Sequence, residues 1–201
     1  MGTRHSTMVI SKKEVKIAQY GQWDGHCESA GVNILKFLRG ANLKEFKNKV
    51  DKLKEYKESE VKKIWKDAGA DDSGWVGLDV SKKVSGSNPE LSRDTGSDIL
   101  TFILKGKVTK VQLDKNFVAD SLYCEYAYVI DLDKKVFKIY KGFNKKPLKK
   151  GERFFNLQKG VKKREEMYYP VKLIREFSLD ELPTEDKFLK LLEHQIVVME
   201  R

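Results

Sequence analysis

Gln19-Tyr20-Gly21-Gln22-Trp23-Asp24-Gly25 sets two carboxamides, a phenol, an indole and a carboxylate beside two glycines. Amides can donate to a developing oxyanion, a carboxylate can move or orient a proton, and an indole can wall a pocket. The chain opens on Met1-Gly2-Thr3-Arg4-His5, where Thr3 offers a hydroxyl and Arg4 a guanidinium that can hold a carboxylate or phosphate through two N–H donors. Thr3, Arg4 and Asp24 are therefore the candidate catalytic residues. Gln19, Tyr20, Gln22, Trp23 and Gly25 are the candidate substrate-binding ones. Without chemistry, the same residues make a hydrogen-bonded hairpin end capped by Trp23.

A hairpin must bring these two stretches together. Thr3 to Ile10 is β-prone, Ser11-Lys12-Lys13-Glu14 is polar and turn-like, and Val15 to Tyr20 alternates again, which predicts antiparallel strands with Gly2 to His5 in side-chain reach of Gln19 to Trp23. A second hairpin is predicted from Tyr123 to Asp131 and Val136 to Tyr140, around Leu132-Asp133-Lys134-Lys135. Glu125 sits in its first strand among tyrosines. It either faces solvent or enters a cleft, where burial would raise its pKa and suit it to proton transfer, so it joins the binding candidates.

The remaining elements frame the hairpins. Ile34, Leu35 and Leu38 fall at helical spacing before Gly40; Phe46, Val50, Leu53 and Tyr56, then Val61, Ile64 and Trp65, mark amphipathic helices up to Gly69. Ala70 to Gly96 has loop composition, with Asp71 and Asp72 as an acidic pair lacking further oxygen ligands nearby. Ile99 to Leu104 predicts a buried helix with Ser97 as N-cap, Val108 to Leu113 a strand, Arg153 to Leu157 a short strand and Tyr168 to Phe177 an edge strand. Pro183-Thr184-Glu185-Asp186 starts a final helix that buries Phe188, Leu189, Leu191 and Leu192. The expected fold is one α+β domain over 1–201, antiparallel sheets flanked by helices, with a helical and loop insertion around 43–96.

With 201 residues, 40% of them hydrophobic and 35% charged, the chain has enough apolar surface for a core, which excludes wholesale disorder. Cys27 and Cys124 have no metal-type spacing and are too few for a disulfide framework. No cofactor or metal is expected. No apolar run is long enough to span a bilayer, and a cytoplasmic location without membrane contact follows, although Met1-Gly2-Thr3-Arg4-His5-Ser6 also fits the myristoylation pattern. The net charge of +10 is concentrated between Lys134 and Arg164, where thirteen cations face a single acid, Glu152. Such a face attracts nucleic acid or another anion, or merely keeps the protein solvated.

The opening Met1-Gly2-Thr3-Arg4-His5, the Gln19 to Gly25 run, and Tyr126-Ala127-Tyr128-Val129-Ile130-Asp131-Leu132-Asp133 with Phe137, Tyr140 and Gly142-Phe143 resemble a largely uncharacterised family of bacterial, phage and fungal proteins. In that family a tyrosine and proline usually follow the Trp-Asp-Gly, whereas this chain has His26-Cys27, a departure that makes Cys27 a poor shared nucleophile. In outline the layout is similar to N-terminal-nucleophile hydrolases, which are αββα enzymes. That resemblance implies a nucleophile at the start of the first strand, with Asp24 orienting an amine or acting as acid or base. Loss of Met1 exposes Gly2, which has no nucleophile, so Thr3 serves only after a further cleavage or as an internal group. Three functions remain open: a hydrolase-like enzyme acting on an amide or small metabolite; a phage-type accessory protein, of host-interaction or anti-defence kind, that binds a host protein or nucleotide signal; and nucleic-acid binding through the 134–164 face, ranked last because Tyr140 and Phe143 fit hairpin packing.

Overall fold

Strand β1 (His5–Ser11) is buried at every position, the mark of a strand covered on both faces rather than one. It forms the predicted hairpin with β2 (Glu14–Gly21), the register running from His5 opposite Gly21 to Ser11 opposite Glu14. Lys12 and Lys13 make the turn with φ of 54° and 64°, the left-handed pair that a two-residue hairpin loop demands. Asp133, on the neighbouring hairpin, steadies this turn by accepting from the Lys13 backbone N–H at 2.8 Å and from Lys47 Nζ at 2.9 Å. Those two donors hold its carboxyl down at about 2.

The structure, a computed structural model, describes residues 2–71, 76–160 and 168–200. Asp72 of the acidic pair and residues 161–164 of the basic run lie outside them. After β2 come α1 (Val32–Gly40) and α2 (Leu43–Val50), whose Asn42 N-cap accepts from the Glu45 N–H at 3.0 Å. Then follow β3 (Lys54–Glu55), α3 (Glu58–Ala68), α4 (Leu78–Ser87), α5 (Ile99–Leu104) and β4 (Lys110–Val111). β5 (Tyr126–Asp131), β6 (Val136–Lys141), β7 (Lys172–Ser178) and α6 (Glu185–Glu200) complete the chain.

The fold is α+β, with a five-stranded sheet in the order β2-β1-β5-β6-β7. Its pairings are antiparallel except that of β1 with β5, which is parallel and sets His5 beside Tyr126, so the sheet is mixed where antiparallel sheets were expected. A parallel neighbour requires a long crossover, and the helices from α1 to α5 lie within it. An αββα layout needs two stacked sheets; among the described residues the other sheet is the two-residue pairing of β3 with β4.

Strand alternation sorts the core into two layers. Val9, Ile17, Tyr128, Ile130, Phe137 and Ile139 join the buried side chains of α1, α2, α5 and α6. Met8, Ile10, Ala18, Ala127, Val129 and Tyr140 face Val118, Cys124, Leu148, Phe154 and Val171, which come from largely irregular chain. Arg153 to Leu157 is no strand: Phe155–Gly160 is a 3-10 turn, Phe154 enters the second layer against Tyr140, and Arg153 Nη2 reaches Asp131 at 3.2 Å.

Within the expected insertion, α2 places Phe46 and Val50 in the main core, whereas α3 buries none of its residues. The segment read as loop contains α4, whose glycine and serines disguise a helix that buries only Val84. Ser97 lies inside a 3-10 turn rather than capping α5, whose N-cap position is Asp98. Of the strand expected over Val108 to Leu113, only Lys110–Val111 pairs.

The final helix docks through Phe188, stacked on Phe137 at 6.1 Å and packed against Phe177 at 5.3 Å between ring centroids. Phe188→Ala would leave a void beneath the aromatic rings of β6 and β7 and is expected to cost about 3–5 kcal/mol, measured as the change in urea unfolding free energy.

Candidate functional site

The register of the first hairpin brings the beginning of the chain against the Gln22 to His26 turn. Thr3 C=O accepts the Gly25 N–H at 3.0 Å. A Cβ on Gly2 would lie 2.1 Å from the Trp23 ring, so the indole rests directly on the Gly2 backbone. Trp23 is 47% exposed, and its Nε1–H donates to Asp94 Oδ1 at 2.8 Å. Asp24 takes the left-handed conformation, φ 53°, which its short polar side chain tolerates, and its C=O accepts the Ala30 N–H. The carboxylate stays exposed.

Behind this turn, His5 is sealed in. It is 2% exposed, and three glycines shape its chamber: a Cβ on Gly21 would sit 2.2 Å from Cε1, one on Gly25 3.0 Å from Nδ1, and one on Gly96 2.9 Å from Nε2. Tyr128 closes another side, its ring edge-on at 6.1 Å while its hydroxyl donates to Gly25 C=O at 2.8 Å. Neither imidazole nitrogen has a hydrogen-bond partner, and the buried hydroxyls of Ser6 and Thr7 also lack one. Burial pushes the His5 pKa down to about 4, outweighing the Asp24 carboxylate and the Trp23 backbone, which favour the charged ring.

In front of the turn lies the contact that sequence reasoning missed. Thr3 Oγ1 and His26 Nε2 are 2.6 Å apart and accessible to solvent, and the His26 ring is held edge-on to Tyr126 at 5.8 Å. His26 follows the Trp-Asp-Gly directly and precedes Cys27. Burial pushes the Cys27 thiol up to about 12, which removes it as a nucleophile near neutral pH. A hydroxyl in contact with an imidazole nitrogen is, by contrast, the arrangement that general-base activation of a hydroxyl requires.

Arg4, Tyr20, Gln22 and Glu125 fall away from this contact, since side chains alternate along an extended chain and Arg4 points opposite to Thr3. Arg4 lies with its guanidinium 4.7 Å over the Tyr123 ring, its Nε buried without a partner. Glu125 is half-buried and accepts the Arg4 backbone N–H at 3.2 Å, so it braces the strand start. The Tyr20 hydroxyl donates to Gln22 Oε1, and its ring packs edge-on against Phe117. Gln19 is buried, and its Nε2 donates to the Tyr20 and Ser92 carbonyls, each at 3.2 Å; those bonds engage the amide that was expected to meet an oxyanion. Thr3, Trp23, Asp24, Gly25 and His26 thus form one cluster, and Arg4, Tyr20, Gln22 and Glu125 another.

Two cavities, of about 410 and 330 Å³, open elsewhere, the first beside Glu14, Lys16, Lys54 and Lys115, the second beside Lys134, Lys138, Arg153 and Phe154. Among the described residues no group of three His, Cys, Asp or Glu side chains could hold a metal ion, and no helix is long and apolar enough to cross a membrane. Compared with protein-family profiles, curated proteins and solved structures, the chain matches none.

The state of His5 carries a pH signature. Its folded pKa of about 4 lies below the ordinary 6.5, so the unfolded chain takes up the proton first as pH falls. Its contribution to stability is full above pH 6.5 and is lost between 6.5 and 4, a loss of roughly 3 kcal/mol. Urea unfolding at a series of pH values is expected to show this slope in the native protein and a shallower one in His5→Gln.

Proposed function

We propose that the protein is a hydrolase-like enzyme acting on an amide or small metabolite, with Thr3 as its nucleophile and His26 as its base. The observation that supports this is the 2.6 Å approach of Thr3 Oγ1 to His26 Nε2. Thr3 acts as an internal hydroxyl, so no further cleavage after Gly2 is needed. His26 Nε2 takes the hydroxyl proton as Oγ1 attacks the substrate carbonyl, and returns it to the leaving group as that bond breaks. Water, deprotonated by the same nitrogen, then attacks the acyl carbon, and His26 Nε2 hands the proton to Thr3 Oγ1 as that ester bond breaks. Trp23 walls the approach from its seat on Gly2, and the Asp24 carboxylate stands beside it to pair with a substrate cation or amine.

A second reading is a phage-type accessory protein that docks a host protein or nucleotide signal without turnover. The exposed indole of Trp23, fixed by Asp94, favours it.

Covalent labelling separates the two. An electrophilic phosphonate probe is expected to add to Thr3 in the native protein, to be lost in Thr3→Val, and to react at least about 100-fold more slowly in His26→Gln, the share a general base supplies. Both variants should unfold within about 1 kcal/mol of the parent, as accessible sites do. Equal labelling rates in the native protein and His26→Gln, read by intact mass and peptide mapping, would leave binding without chemistry.

A further inference from the structure

Phe143 departs from the hairpin packing expected of it. It is 45% exposed and has φ of 54°, a conformation that a bulky side chain rarely adopts unless its surroundings enforce it. They do so from both sides. The Gly142 N–H donates to Glu125 C=O at 2.8 Å, the Phe143 N–H to Ser121 C=O at 2.7 Å, and the Asn144 N–H to Ser121 Oγ at 3.1 Å. A Cβ on Gly142 would lie 2.2 Å from Cys124 C=O, so this strand end is pressed tightly on the 121–125 turn. These bonds hold the backbone at this φ with the phenyl ring exposed.

Cations and rings alternate around it. Lys141 Nζ stands 5.5 Å from the Phe143 centroid, the Tyr168 ring meets Phe143 edge-on at 6.2 Å, and Lys145 Nζ stands 5.6 Å from the Tyr168 centroid. Across the same seam, Tyr123 is 46% exposed beneath the Arg4 guanidinium. Phe143 and Tyr123 are exposed and Tyr168 is half-buried, and rings spaced by positive charge are what unpaired bases on a phosphate backbone require: the rings stack and the cations neutralise. The surplus of positive charge between Lys134 and Arg164 adds long-range attraction for a polyanion.

We infer that the edge formed by Phe143, Tyr168 and Tyr123 with Lys141, Lys145 and Arg4 binds single-stranded nucleic acid by base stacking. This inference goes beyond the hydrolase proposal and uses none of its reacting groups, although Lys141 also lies 4.3 Å over the Tyr126 ring on which His26 packs.

The test is fluorescence anisotropy of the full chain with a labelled oligothymidylate about 15 nucleotides long. Binding is expected to weaken steeply from about 50 to 200 mM salt, and Lys145→Ala should make that salt dependence shallower. Phe143→Gly is the decisive variant, because glycine accepts the positive φ freely while removing the ring. It should weaken binding roughly tenfold or more without lowering the Tm, whereas Thr3→Val should bind as the parent does. The inference is overturned if Phe143→Gly binds like the parent, or if a duplex of the same length competes equally, which would mean adherence to charge alone. Failure to bind at low salt overturns it too, as does capture by anionic phosphatidylserine vesicles in place of the oligonucleotide.

Discussion

The central position of β1 constrains everything else in this protein. The strand is hydrogen-bonded on one side to antiparallel β2 and on the other to parallel β5, and both of its faces are covered. Apolar Met8, Val9 and Ile10 suit that place, but His5, Ser6, Thr7 and Ser11 are buried with them. Ser11 finds Asp51 at 2.6 Å. His5, Ser6 and Thr7 have side-chain atoms without partners, and an unmet buried polar group costs on the order of 1–3 kcal/mol. A strand chosen for stability alone would carry hydrocarbon there.

Space and charge at His5 follow from that cost. Room for the imidazole exists only because positions 21, 25 and 96 carry no side chain, and the ring remains neutral because the same enclosure removes water. The glycines of the Gln19 to Gly25 run thus make room for the histidine they surround. The Thr3 and His26 pair stands in front of that packed wall, where Gly25 ties the turn to the strand through Thr3 C=O. Rigid backing of this kind fixes Thr3 and His26 at one separation, as the proposed nucleophile and base require of a pre-organised site.

Local patterns made much of the fold legible. Both hairpins, α1, α2, α3 and α6 follow from alternation, helical spacing and caps, and the Gly69 that was expected to end α3 does so at φ 108°. The parallel match of β1 with β5 was not legible, since residues far apart in sequence carry no mark of relative direction. α4 was missed because its helix makes few core contacts and its composition is that of a loop. The site was legible as a neighbourhood and not as a constellation. Thr3 and Arg4 are consecutive, and consecutive strand residues face opposite layers, so their separation was available from alternation. His26 was available as well, three positions past Trp23, but no periodicity ties an imidazole in a turn to a hydroxyl across a hairpin.

If β1 is the member on which the sheet and the site are assembled, its amides should be among the last to open. Native-state hydrogen exchange of the peptide covering residues 6–11 measures this directly. The account predicts exchange at the rate of global unfolding, in step with β5. Exchange of that peptide at a far lower free energy, with the rest of the sheet still protected, would show a frayed terminal strand and contradict it.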